Sequence, residues 1–323
     1  MDRPELSLAI TTAAVAGDNG TLFRLCRDLL DIGTPLDVLL FDHLLRVERE
    51  VGGRWAHGDY LVAEEHAATA TVETVIGLFA GSLDQPPEAP LVVVTTAEGD
   101  QHSLPARAAA TYLSFVGYRT NYLGPSVPAV DLRSFLQIEP PLAVVVSATM
   151  TTHLLGARAV IGAAHEVGVP VVAGGRGFGP EGRWSEPVGA DAWVDDPRRI
   201  PDVLAGWAEQ VPELREPWPI PDELAALRAA RQRVLGKAEI DLGIEDPSDR
   251  LVDELALLLS ALESTLLVGD DRILENMLSW QEATLRAHGQ DPSRVVRALV
   301  AGLEDWVPEV GSRVTRIARR FFS

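Results

Sequence analysis

The chain of 323 residues has a single cysteine, Cys26, and a single lysine, Lys237. One thiol cannot build a disulfide framework, a cysteine-based zinc site or an iron–sulfur cluster, and the composition fits a reducing, cytoplasmic setting. One lysine, in a linker-like region, leaves Schiff-base chemistry with almost no candidate. Basic charge is also scarce: 28 Lys and Arg stand against 47 Asp and Glu, a formal net charge of −19. The one basic cluster is short, at residues 313–320, so direct binding to nucleic acid is not expected. No uncharged stretch approaches the roughly 20 residues that a membrane helix needs, and the start lacks a basic segment followed by an apolar core. The expectation is a folded chain that neither spans nor binds a membrane. Its length, with 46% hydrophobic residues, suits two or three domains.

Three blocks follow from periodicity. Residues 5–84 read as helices: Leu22, Leu25, Leu29 and Leu30 form one stripe, Val38, Leu39, Leu44, Leu45 and Val47 another, and residues 67–79 are strong helix formers. Gly17-Asp18, Gly33-Thr34-Pro35 and Gly52-Gly53 read as punctuation, giving a four-helix bundle over residues 1–85. The proline-rich segment 84–90 marks a linker. From 91 the pattern becomes apolar runs at 91–96, 119–123, 142–148, 169–173 and 192–194, separated by helical stretches at 105–116, 130–138 and 154–167. Apolar runs without alternation, separated by helices, predict a parallel sheet covered on both faces, hence a doubly wound α/β domain over residues 86–210. A second proline-rich linker at 212–221 leads to an all-α block over residues 211–323, where Glu245, Asp246 and Asp249 read as a helix-start signal.

The chemistry sits at the ends of the predicted strands. Asp100-Gln101-His102 follows the first, Tyr122-Leu123-Gly124 the second, Ser147-Ala148-Thr149 the third and Gly174-Gly175 the fourth. Open α/β sheets bind ligands at such carboxyl ends. An imidazole there, with a carboxylate two positions earlier to accept its second ring proton, has the make-up of a strong axial metal ligand. His43, His57, His153, His165 and His288 are read as structural or solvated, although His153 falls near the same face.

This set resembles the cobalamin-binding domain of methionine synthases and corrinoid proteins, with its Asp-X-His-X-X-Gly, Ser-X-Thr and Gly-Gly elements. The resemblance implies that His102 is the lower cobalt ligand and Asp100 its partner. It also implies that Leu123, Ser147, Thr149, Gly174 and Gly175 belong to the cofactor site, the last four beside a slot for the displaced nucleotide base. One departure stands out: Pro105 occupies the place of the motif's glycine. In the first block, Trp55 precedes Glu65 and His66 by ten and eleven positions. That spacing resembles the cap of the light-sensing, adenosylcobalamin-dependent repressors. There Trp55 and Glu65 would enclose the upper adenosyl group, and His66 would be the upper cobalt ligand once light removes it.

Those repressors carry a DNA-binding domain ahead of the cap, whereas here the bundle begins within a few residues of Met1. The order of blocks is similar to that of photocobilins, which pair cobalamin with noncovalent biliverdin. No cysteine follows Cys26, so a thioether-linked bilin is impossible in the third block. Trp280, Arg286, His288, Arg294 and Arg297 are the candidates to contact a noncovalent one. The expected function is a non-enzymatic photoreceptor whose cofactor state alters a homo-oligomer or a protein partner. The alternatives are a corrinoid methyl carrier serving methyltransferases, a cobalamin-responsive antirepressor without photochemistry and, for the third block, a dimerisation or partner-binding domain.

Overall fold

A computed structural model describes residues 3–246 and 250–322, and Asp249 of the helix-start signal lies outside them. The first block contains α1 (Arg3–Val15), α2 (Asn19–Asp31), a π-helical segment (Val38–Leu44) continuing into α3 (Leu45–Ala56), and α4 (Val62–Ala80). Asp18 starts α2 by accepting the Thr21 amide at 2.9 Å, which satisfies one of the orphan N–H groups at the helix end. Glu64 does the same for α4, accepting the Leu61 amide at 2.7 Å. The π-helical turn was not legible in the leucine stripe, because the amide of Leu45 bonds back five residues to Leu40 rather than four. Leu22, Cys26, Leu39, Leu40, Leu44, Val72 and Ile76 make a fully buried core for this cap. Gly52 and Gly53 do not punctuate the bundle: both lie inside α3.

The second block alternates β1 (Leu91–Thr96), α5 (Ser103–Phe115), β2 (Arg119–Tyr122), α6 (Ala129–Leu136), β3 (Ala143–Ser147), α7 (Leu154–His165), β4 (Val171–Gly174), β5 (Ala192–Val194) and α8 (Ile200–Glu209). All four strand pairings are parallel, in the order β2-β1-β3-β4-β5. β1 and β3 are buried along their whole length, as their valine-rich sequences require. Strand order reverses between β1 and β3, which stay paired to their last residues, Thr96 and Ser147, and the connections that leave those ends run to opposite sides with a crevice between them. Helix α5 carries two apolar stripes. Ala106, Ala109, Ala110 and Leu113 pack on the sheet, while Leu104 and Ala108 belong to the core of the cap.

The third block is helical: α9 (Asp222–Leu242), α10 (Arg250–Val268), α11 (Arg272–Ala287), α12 (Pro292–Trp306) and α13 (Pro308–Ala318). It is not a separate ball on a tether. One continuous core runs from Val144, Val146 and Ile161 of the sheet domain to Leu258, Leu262 and Leu299 of these helices. Polar contacts reinforce the junction: Trp184 Nε1 donates to Asp270 Oδ2 at 3.1 Å, and Arg272 pairs with the same carboxylate at 2.6 Å. The cap is fastened to the sheet domain by Arg198, whose guanidinium meets Asp37 at 2.7 Å, Asp42 at 2.9 Å and Asp196 at 3.0 Å, and lies over the Phe41 ring. Among the described residues no helix is long and apolar enough to cross a membrane.

Candidate functional site

His102 caps the start of α5, immediately beyond the turn that follows β1. Asp100 is fully buried beneath it and makes three bonds. Its Oδ1 accepts from His102 Nδ1 at 2.6 Å and from the His102 amide at 3.0 Å, and its Oδ2 accepts the Thr149 amide at 2.7 Å. Burial alone would raise the Asp100 carboxyl, but the hydrogen bond from His102, the neighbouring His153 ring and the Thr149 amide together hold it well below the usual carboxylate range. The bond to Asp100 raises the His102 imidazole against the opposing effect of burial. An ionised Asp100 thus fixes the proton on Nδ1 and leaves Nε2 to coordinate, the arrangement that orients a metal-binding histidine. His153 stands 3.6 Å from Asp100 Oδ2, beyond hydrogen-bond reach, and its Cδ2 lies close to Gly99.

Two cavities flank this histidine. The first is a slot of about 270 Å³ beside the sheet, lined by Ser147, Thr149, Gly174, Gly175, Pro105 and Val194 among others. The four predicted slot residues therefore come together. The two glycines play different parts. Gly175 has φ +98° and a Cβ there would run into the Ala148 carbonyl, so the backbone itself demands glycine. At Gly174 a Cβ would meet Val194 only at 3.8 Å, an ordinary contact, so this glycine keeps the slot wide rather than relieving strain. Pro105 sits in the first turn of α5, where its missing N–H is an orphan in any case, and the helix continues through it.

The second cavity, about 580 Å³, opens between the cap, the sheet end and the third block, and is lined by Trp55, Glu65, His66 and His102 together. Gly52 and Gly53 of α3 also line it, and a Cβ on either would meet nothing within 4 Å, so these positions hold space open toward the cavity. Glu65 accepts Thr69 Oγ1 at 2.9 Å, while His66, with its side chain 74% exposed, turns Nδ1 toward Val62 O at 3.0 Å and Glu65 Oε2 at 2.9 Å. That leaves His66 Nε2 without a partner. Trp55 Nε1 is buried with no acceptor, a donor with an unmet bond on the cavity wall.

Leu257 of α10 and Trp280 of α11 line it from the third block. The Trp55 ring lies 6.3 Å from that of Trp280 and 6.2 Å from His288, with the Arg250 guanidinium 5.8 Å from its centre. The third block is therefore part of the site. Leu123 is not: it lines a separate depression with Arg107, Tyr122 and Phe135, because β2 ends one strand away from the crevice. Arg286, Arg294 and Arg297 do not converge on a common pocket. Arg286 pairs with Glu282 at 2.9 Å, Arg294 reaches Leu242 O at 3.3 Å, and Arg297 bonds Ser293 at 2.8 Å. Motif reading missed Glu48, Arg49 and Arg176, which line both cavities. Their signal was present: Glu48, Gly52 and Trp55 share one helical face, and Arg176 directly follows the glycine pair.

The donor set fits a corrin-bound metal and not a free one. One histidine with a buried carboxylate beneath it stands between a slot and a broader chamber, and no group of three His, Cys, Asp or Glu among the described residues could hold an ion alone. Residues 90–199 match the family described as B12 binding domain, and residues 8–79 match a second family of the same description. The chain is thus built as a cobalamin-binding protein, with a helical cap over a Rossmann-like B12 domain. Its own addition to that plan is the helical block that closes one side of the chamber. Among solved structures it is similar to the monomethylamine corrinoid protein of Methanosarcina barkeri, with a TM-score of 0.53 and 22% identity over 64% of this chain and 99% of that one. A cobalamin-binding protein from Desulfitobacterium hafniense DCB-2 has a TM-score of 0.34 at 20% identity, covering 62% of this chain and 98% of its own. The methanol:cobalamin methyltransferase complex of Methanosarcina barkeri has a TM-score of 0.32 at 21% identity, covering 64% and 81%. No curated protein matches the chain.

Proposed function

We propose that this chain is a cobalamin-dependent light sensor, not an enzyme, and that its upper chamber holds adenosylcobalamin. The observation that carries the reading is the chamber wall. Trp55 is seated against Trp280 and His288, and Leu257 lines the same chamber as His102, so the protein's own third block walls part of this space. A chamber walled in part by the chain's own third block suits a bulky ligand kept in place more than a group handed to another protein. When bound, the adenosyl cofactor supplies a cobalt–carbon bond that light can break. His102, oriented by Asp100, would hold the cobalt through Nε2. Trp55 supplies an apolar lid and an indole N–H in need of an acceptor, Glu65 a carboxylate for ribose or adenine, and His66 an imidazole whose Nε2 is unengaged. His66 would hold the metal once the adenosyl group is lost, and the Trp55–Trp280 contact would be where that change reaches the third block. Differential contacts of this kind are what a two-state signal requires, and a homo-oligomer or a protein partner would read it. A noncovalent biliverdin in the third block belongs to the same proposal, with Trp280 and His288 as its nearest candidates.

The test is to load the chain with adenosylcobalamin in darkness and illuminate it. The spectrum is expected to convert to a bis-histidine form in the wild type but not in His66→Ala, and an unchanged wild-type spectrum would refute light sensing. His102→Ala should lose the His-on spectrum. A second reading, a corrinoid methyl carrier, is favoured by one solved neighbour, named as a monomethylamine corrinoid protein. It predicts methyl transfer from cognate enzymes and indifference to His66→Ala.

A further inference from the structure

The slot and the chamber are separate spaces with common walls, and the residues lining both are Glu48, Arg49 and Arg176. A cobalamin with its cobalt at His102 and its base in the slot would thread its nucleotide tail past this neck. The tail at that point is a phosphodiester with one negative charge. Among the described residues neither arginine makes an ion pair or a hydrogen bond, in a chain where acids outnumber bases 47 to 28. Two guanidinium groups against one carboxylate leave the neck with a formal charge of +1, equal and opposite to the diester. Of the other acids near the neck, Asp195 lines only the slot and Glu65 only the chamber.

We infer that Arg49 and Arg176 form a subsite for the phosphodiester of the nucleotide tail, and that this subsite selects complete cobalamin over corrinoids that lack the tail. The inference rests on the reading of the chain as a cobalamin-binding protein. Arg49 comes from α3 of the cap and Arg176 from the turn after the glycine pair, so one anion would be held from two domains at once. Guanidinium is the suitable cation, since its planar fork can bond two phosphate oxygens together. Arg176 is placed there by Gly175, whose left-handed backbone turns the chain back over Ala148.

The experiment titrates the full chain with aquocobalamin and with diaquocobinamide, the same corrin without the nucleotide, following absorbance. Arg49→Ala and Arg176→Ala are each expected to weaken cobalamin about tenfold, the pair more, with cobinamide affinity little changed. The loss should shrink at high salt, where exposed charges are screened. Arg176→Lys, which keeps the charge but not the fork, should lose less than Arg176→Ala, and circular dichroism should report an unchanged fold. Equal losses for both ligands, or none for either, would overturn the subsite while leaving cobalamin binding intact. A wild type that binds neither ligand would overturn the cobalamin reading and the subsite with it.

Discussion

Replacing Asp100 by asparagine tests the fixed half of the site. The carboxylate is fully buried and accepts from three N–H donors, two on His102 and one on Thr149. Asparagine has the same shape but only one oxygen, so its NH2 must face either the His102 pair or the Thr149 amide, donor against donor. A hydrogen bond to a charged group contributes about 1.5–3 kcal/mol. Three on one carboxylate do not add in full, and breaking one side of a buried charged pair typically costs about 3–5 kcal/mol. Asp100→Asn should therefore destabilise the chain without cofactor by about 3 kcal/mol, and Asp100→Ala by about 3–5 kcal/mol, read from the shift in urea midpoint. Cobalamin affinity should fall about 10–100-fold, because His102 loses the group that fixes its tautomer and direction. Hydrogen exchange of the Thr149 amide should quicken in both variants. A cost below about 1 kcal/mol, with the Thr149 amide still protected, would show that Asp100 does not organise this loop.

The two slot glycines should separate cleanly. Gly175→Ala, strained at φ +98° and blocked by Ala148, should lose about 2 kcal/mol or more of stability along with cofactor binding. Gly174→Ala should keep the wild-type melting temperature and lose affinity only, and a stability loss there would contradict the room found around it. Asp270 is held down to about 2, first by its hydrogen bond with Arg272, against the raising effect of burial. A depressed carboxyl contributes stability that is present above its ordinary value and lost as pH falls through the folded one. Asp270→Asn should thus cost about 1–2 kcal/mol at neutral pH, allowing for solvent screening, and the difference from wild type should vanish between pH about 4 and 2, followed by tryptophan fluorescence. Burial pushes the Cys26 thiol up to about 12. Alkylating reagents at mildly alkaline pH should therefore spare it until the cap unfolds, and rapid labelling of the native chain would refute that burial.

Much of the sheet domain was legible because a strand buried on both faces has no choice but to be apolar. Val92, Val93 and Val94 in β1 and Val144, Val145 and Val146 in β3 leave no other reading, and the residues beyond those ends then fall into the crevice automatically. What periodicity could not supply was which apolar faces meet. The leucines of α10 announce a buried helix, but nothing in their spacing says that Leu257 looks into the chamber or that the same core runs into α7. Gly52 and Gly53 misled for a related reason: glycine is a poor helix former, and only a neighbouring void makes it worth keeping in mid-helix. Leu123 was carried in by its neighbours in sequence, whereas strand order puts β2 outside the crevice. Glu48, Arg49 and Arg176 stayed unread because a charge aimed into a cavity looks, in sequence, like one aimed at water.

Helix α5 gives the arrangement a mechanical character. The segment that begins at His102 lies with one stripe on the sheet and the other, Leu104 and Ala108, in the core of the cap. It is a beam shared by two bodies, with His102 at its end. Lifting the cap off would expose Leu104 and Ala108, and would part the Tyr112 ring from that of Phe41, 5.5 Å away in the cap. Arg198, paired with Asp37 and Asp42, ties the cap to the sheet domain, and the Trp55–Trp280 contact ties it to the third block. A change at the start of α5 is therefore felt by the sheet and by the cap together, because one helix is built into both cores.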